Sequence, residues 1–229
     1  MEEFLAPLSK SLQPYKDHIA QGATIITILQ LLSPALLVNE IRKAKTTKNF
    51  TIAPFIGGGV LSIMFVVFGQ LMNDPTTIKV NMIGVILSVI YITAFYIYTP
   101  IEEKFNVWFK VGLAGAFSAI MIGYTKYEDP NLVEQRFGLI LTLLLYAVIA
   151  SPMTELKEVI RNKSTEGLPF PIIFMGFLVG LSWLTYGVVL NNAFIILQNL
   201  VVVLLCGFQL SFFLIYPSKK VVKDKKKRN

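Results

Sequence analysis

Asn199 lies in "FIILQNLVVVL" (194–204), inside a run from 167 to 218 that carries no Asp, Glu, Lys, Arg or His. An amide left without a partner in hydrocarbon costs several kcal/mol. Asn199 must therefore either bond a neighbouring helix or face a polar cavity. It offers two N–H donors and one acceptor oxygen without charge, which suits an uncharged, hydroxylated ligand. Little else in the apolar runs is reactive. The chain has one histidine, His18, and one cysteine, Cys206, and no carboxylate falls within those runs. That leaves no acid–base pair and no metal-ligand set. The expectation is a protein without catalytic residues, metal or cofactor.

The elements that must position such an amide are membrane helices. Of 229 residues, 54% are hydrophobic and 15% charged, where soluble domains carry about 25% charged residues; the mean hydropathy is +0.62. Runs free of Asp, Glu, Lys, Arg and His cover 19–39, 49–73, 80–101, 111–125, 137–154 and 167–218. A crossing needs about 20 residues, so the first five runs each predict one helix. The last predicts two, broken at Asn191 and Asn192.

The net charge of +7 is spread over short loops, so it sets topology and implies no nucleic-acid partner. With loops assigned alternately, 16 of the 21 Lys and Arg fall on one side, from Arg42 to the 219–228 tail, and only Lys10, Lys16, Lys79, Lys126 and Arg136 on the other. The rich side is cytosolic by the positive-inside rule. The N-terminus is then outside or lumenal and the C-terminus cytosolic. "MEEFLAPLSK" has no cleavable apolar core, so the first helix is expected to act as the insertion signal. Asn49 in "NFT" and Asn162 in "NKS" fit the glycosylation pattern but lie in cytosolic loops, and neither is expected to carry a glycan.

A shift of 118 residues lays "SPALLVNEIRKAKTT" over "SPMTELKEVIRNKST" without a gap. The same shift pairs Ser33 with Ser151, Pro34 with Pro152, Gly58 with Gly176, Gly69 with Gly187, Asn73 with Asn191, Asn81 with Asn199 and Tyr98 with Tyr216. Asn199 thus has a twin. Three crossings leave the chain on the opposite side, so two repeats point the same way only if one helix returns it. The prediction is an all-α integral membrane protein of seven transmembrane helices, two parallel three-helix repeats joined by an inversion linker helix (3+1+3). Its parts are an outer N-terminal segment (1–18), the first repeat (19–100), the linker with the fourth helix (101–130), the second repeat (131–218) and a basic cytosolic tail (219–229). Parallel repeats of this kind place a transport site where the repeats meet.

"ASPMTELKEVIRNKSTEGLPF", "SWLTYG" and "ILQN" in the second repeat, with "SPALLVNEIRKAKTTKNF" and "KVNMIG" in the first, resemble the SWEET (MtN3/saliva) sugar transporters, of an animal type. The resemblance spans about residues 19–218. It implies a bidirectional, energy-independent carrier of glucose-like mono- or disaccharides. Carried over by position, it implies sugar contacts at Asn81, Asn199, Trp183 and Phe65. It also implies inner hinge prolines at Pro34, Pro54, Pro152 and Pro169, with Pro171 a rival for the last. The family's outer gate pairs an aromatic with Asp; here Phe68 and Asn192 stand in those places. Homo-oligomeric assembly is implied by the resemblance alone.

At about 1.5 Å per residue, Phe65 and Trp183 come out roughly 9 and 10 Å below the outer helix ends, Asn199 roughly 7 Å and Asn81 about 5 Å. Two amides and two aromatics about a twofold axis suit a pyranose: amides for its hydroxyl edge, rings for its C–H faces. Prolines at the inner helix ends fit a hinge, since proline removes a backbone donor and kinks a helix. Ion-coupled carriers usually keep an ionisable group in the membrane. None lies in these runs, so facilitated diffusion is expected. Tyr91, Tyr96 and Tyr98 are read as packing or interfacial residues, and His18 as a solvated boundary residue. The lysine-rich tail fits lipid attraction and also a dilysine retrieval pattern, so plasma membrane and Golgi both fit. A seven-helix receptor or a membrane scaffold is the competing class. It would give ligand response or partner binding without flux.

Overall fold

The computed structural model describes residues 2–150, 153–165, 168 and 170–216. Among them the only regular elements are helical: α1 (Glu2–Leu12), α2 (Lys16–Leu32), α3 (Pro34–Ala44), α4 (Ala53–Leu71), α5 (Pro75–Ile97), α6 (Lys104–Tyr127), α7 (Val133–Ala150), α8 (Met153–Asn162), α9 (Phe170–Leu190) and α10 (Ala193–Ile215), with short 3-10 turns at Gln13–Tyr15 and Ile101–Glu103. Among the described residues six helical stretches are long and apolar enough to cross a membrane. The seventh helix of the expected set is α7, whose start carries Glu134 and Arg136.

The helices overrun the charge-free runs at their ends. α5 begins at Pro75 and takes in Lys79, while α6 takes in Lys104 and Lys110, because long lysine side chains near a helix end reach the interface while their backbone stays helical. The first expected helix is broken in two. α2 stops at Leu32 and α3 starts at Pro34; Pro34 has no N–H to give the Gln30 carbonyl, which accepts from Ser33 N at 3.0 Å instead.

The repeat is written in the backbone. α5 and α10 begin and end 118 residues apart. The only non-glycine residues with positive φ among those described are Lys45 (54°) and Lys163 (47°), and Asn73 (53°) and Asn191 (51°), two pairs at the same shift. The turns before α5 and α10 each put an Asn, which tolerates the left-handed region, before a side-chain N-cap. Asp74 Oδ2 accepts from Thr77 N at 2.8 Å and from its hydroxyl at 2.6 Å. Asn192 Oδ1 accepts from Phe194 N and Ile195 N, each at 3.1 Å. A Cβ on Gly69 would lie 3.1 Å from Ile78 N, and one on Gly187 would lie 3.1 Å from Ile196 N, so glycine lets each antiparallel pair close tightly at this turn.

The chain forms two compact units, one of residues 14–145 and one of the N-terminal residues to Gln13 with those from Tyr146 onward. In the first, α5 packs against α4, α2 and α3, and α6 lies against α4. Its core gathers Ile41, Ile52, Phe55, Tyr91, Phe95 and Val107, with the Phe55 ring 5.8 Å from Tyr91 and 6.0 Å from Phe95. In the second, α9 packs along α10 and α1 lies on α9. Its core gathers Leu156, Val159, Leu168, Ile173 and Phe212. The repeats exchange small for large at one crossing. Gly84 of α5 meets Ser62 of α4, whereas at the equivalent positions Val202 of α10 meets Gly180 of α9, whose Cβ would sit 3.0 Å from the valine.

Candidate binding site

Asn81 and Asn199 each stand six residues after the first residue of their helix, about 9 Å in. This is deeper than the roughly 5 Å expected for Asn81, because α5 begins at Pro75, ahead of the uncharged run that opens at Val80. Both are half-buried. Asn81 Nδ2 donates to Thr77 O at 2.9 Å and Asn199 Nδ2 to Ile195 O at 2.8 Å. Each amide is thus tied by one N–H to its own helix, four residues back. The bond fixes the side-chain rotamer and leaves the second N–H and the carbonyl oxygen for another partner. Neither amide bonds a neighbouring helix among the described residues.

The aromatic positions lie on the preceding helix of each repeat. Phe65 is six residues before the end of α4 and half-buried. Trp183 is seven residues before the end of α9, 8% exposed, its ring edge-on to Tyr186 at 5.6 Å. Each repeat therefore sets one aromatic and one amide at about one level, on the two antiparallel helices that pack together most closely. Trp183 and Asn199 come together in this sense in one unit, Phe65 and Asn81 in the other.

Phe68 and its repeat equivalent Tyr186 are both fully buried. The Asn192 oxygen is engaged in capping α10, and its equivalent, the buried carboxylate of Asp74, caps α5. Among the hinge prolines, Pro34 follows the break between α2 and α3, and Pro54 is the second residue of α4. Pro152 and Pro169 lie outside the described residues. Pro171 is the second residue of α9, the place Pro54 holds in α4.

Three features escaped the sequence. α1 is a helix where only an outer segment was expected. The Tyr91 hydroxyl donates to Leu31 O at 3.0 Å, a carbonyl in the last turn of α2 just before the Pro34 break. In the turn after α6, Glu128 takes the Tyr124 hydroxyl at 2.6 Å, both oxygens accept from Arg136 Nη1 at 2.9 Å, and Asp129 N donates at 3.0 Å. The tyrosine bond first, then the arginine and the backbone N–H, hold the Glu128 carboxyl down at about 2. Residues eight apart across a loop give no sequence signal of such a contact.

Residues 18–103 and 135–221 match the MtN3_slv family, described as "Sugar efflux transporter for intercellular exchange". The chain is 32% identical over 204 residues to Sugar transporter SWEET1 of Drosophila pseudoobscura pseudoobscura, covering 89% of this chain and 90% of that one. It is 26% identical to Sugar transporter SWEET1 of Mus musculus, at 89% and 93% coverage, and 29% identical to Bidirectional sugar transporter N3 of Medicago truncatula, at 89% and 78%. A solved eukaryotic SWEET transporter superposes with a TM-score of 0.80 at 24% identity, over 88% of this chain and 96% of that one. The two share a fold, seven helices arranged 3+1+3.

Proposed function

The chain belongs to the MtN3_slv family of sugar efflux transporters, and from that premise we propose that it is a multi-pass membrane carrier that moves glucose-like mono- or disaccharides in both directions by facilitated diffusion. The observation that carries this is the repeat-related pair Asn81 and Asn199, at equal depth, each with one N–H bonded back to its own helix and an oxygen and N–H to spare. A sugar hydroxyl both donates and accepts, so one such amide can satisfy it in both senses. Phe65 and Trp183 would lie against the ring faces.

Alternating access would bend the helices at the inner prolines Pro34, Pro54 and Pro152, with Pro169 or Pro171 completing the set. Pro171 is favoured by its match to Pro54 within the helix frame. Phe68 and Asn192 would close the outer side through movement of the turn they border. The protein takes no ion with the sugar and catalyses no reaction, since the apolar runs hold no Asp, Glu, Lys, Arg or His. The N-terminus is proposed to face outward, on the side poor in Lys and Arg, with Ser9 and Gln13 of α1 bonded to Val189 O of α9. Homo-oligomeric assembly belongs to this proposal too.

The test is uptake of radiolabelled glucose by proteoliposomes without an ion gradient. Saturable flux unaffected by ionophore is expected, and dependence on sodium or a proton gradient would overturn the uniport reading.

A further inference from the structure

α1 stands ahead of the residues that match the family, which begin at 18, and only part of its apolar surface is used within the chain. Leu5, Ser9 and Leu12, at the i, i+4, i+7 spacing of a helix face, are its buried or half-buried positions. At about 100° per residue they span about 60° of the helix. Leu8 and Phe4 follow about 40° and 80° beyond Leu12, yet Leu8 is 49% and Phe4 85% exposed. Lys10, also exposed, lies about 140° from the midpoint of that pair. The helix thus has a docked sector, an uncovered apolar sector beside it, and a lysine on the far side.

The docked sector lies on α9, in the same compact unit. Ser9 Oγ donates to Val189 O at 3.0 Å and Gln13 Nε2 to the same oxygen at 2.8 Å. A helix end leaves its last four carbonyls without intrahelical donors. In α9, Gly187 O accepts from Asn192 N at 3.1 Å and Val188 O from Asn191 N at 3.0 Å, and Val189 O is the carbonyl that α1 supplies. This contact sets the level of α1. α9 has 21 residues, about 31 Å at 1.5 Å per residue, and so just spans the ~30 Å of hydrocarbon in a bilayer. Val189 is its last residue but one. Ser9 and Gln13 are therefore held where the hydrocarbon ends.

We propose that α1 is an interfacial helix whose partner is the lipid surface. Docked on α9 by one sector, it lays Phe4 and Leu8 into the boundary between headgroups and acyl chains of the leaflet at that end of α9, and turns Lys10 toward water. Amphipathic helices lie in this plane with Phe and Leu sunk about 5–10 Å into the boundary and basic residues above it. The level fixed by Val189 is what selects lipid as the occupant: an apolar pair left uncovered at the edge of the hydrocarbon meets acyl chains there. The inference rests on α9 crossing the bilayer and not on sugar transport, so loss of flux leaves it standing and its failure leaves the carrier reading standing.

The test attaches nitroxides to the full chain through Phe4→Cys, Leu8→Cys or Lys10→Cys, each with Cys206→Ser, in phosphatidylcholine nanodiscs loaded with one copy. Collisions with oxygen, which gathers among acyl chains, and with a water-soluble nickel chelate report the surroundings of each label. The labels from Phe4→Cys and Leu8→Cys are expected to favour oxygen and lose collisions with the chelate, and the label from Lys10→Cys to show the reverse order. Chelate reaching all three alike would place α1 in water and overturn the proposal. Shielding of the first two from both reagents would mean that protein covers the pair, and would overturn it as well. Hydrogen exchange on the unaltered protein in the same nanodiscs reads docking without any substitution: slow amides over residues 5–12 are expected, and exchange at the rate of an unfolded chain there would refute a docked interfacial helix.

Discussion

Replacing Tyr91 by Phe removes one hydroxyl and leaves the ring among Phe55 and Phe95. What is lost is the 3.0 Å bond to Leu31 O. Interhelical hydrogen bonds within membranes average about 0.6 kcal/mol, because the freed group usually finds another partner. The Leu31 carbonyl has less choice. It belongs to the last turn of α2, which ends at Leu32 before Pro34, so helix continuation offers it no regular donor, and Tyr91 itself is 6% exposed. A loss of about 1–2 kcal/mol follows, toward the range for a buried unsatisfied acceptor. Tyr91→Ala adds the cavity left by the ring, about 3–5 kcal/mol in all. Unfolding of the purified protein by SDS titration in mixed micelles measures both. Tyr91→Phe without effect would mean the carbonyl is satisfied otherwise. Equal losses in the two variants would mean that the ring contributes nothing, against the packing described.

The Ser62/Gly84 crossing should behave as its Gly180/Val202 equivalent implies. Gly84→Val alone overpacks it by about 1–3 kcal/mol, whereas adding Ser62→Gly recovers at least about 1 kcal/mol in a double-mutant cycle; strict additivity would refute the swap. Glu128 has a folded value of about 2 against an ordinary 4.5, so its stabilisation is complete above 4.5 and disappears as pH falls from 4.5 toward 2. Glu128→Gln should flatten the stability profile in that window, and an unchanged slope would remove the outer cluster from the account. Asn49 and Asn162 should be unglycosylated in cells, so N-glycosidase should leave the mobility of the protein unchanged. A shift abolished by Asn49→Gln or Asn162→Gln would reverse the proposed orientation.

Much of the architecture was legible because hydrocarbon demands long uncharged helices and because a duplicated unit repeats its landmarks. The left-handed Lys45, Lys163, Asn73 and Asn191 fall on the shift read from Ser-Pro and Gly matches. What the residues alone obscured was local or tertiary. α5 begins at Pro75, before the uncharged run that opens at Val80, and so Asn81 lies deeper than expected. α1 carries charges and Pro7, so no uncharged run marks it, and its place is set by bonds to Val189, far along the chain. Asn81 and Asn199 stood out as costly amides, but their bonds to Thr77 and Ile195 depend on a rotamer that spacing does not specify. Asn192 was read as a helix break and gate position, and only the backbone geometry makes it and Asp74 matched caps.

The central claim is that the two amides hold the sugar. Glucose flux into proteoliposomes without an ion gradient tests it with Asn81→Ala, Asn199→Ala and the double variant, each checked for an intact fold. Each single change removes one or two hydrogen bonds to hydroxyls and should lower uptake at subsaturating glucose about tenfold or more, and the double change should abolish it. Flux retained in the folded double variant would contradict the claim and reduce both asparagines to rotamer-locked packing residues of α5 and α10.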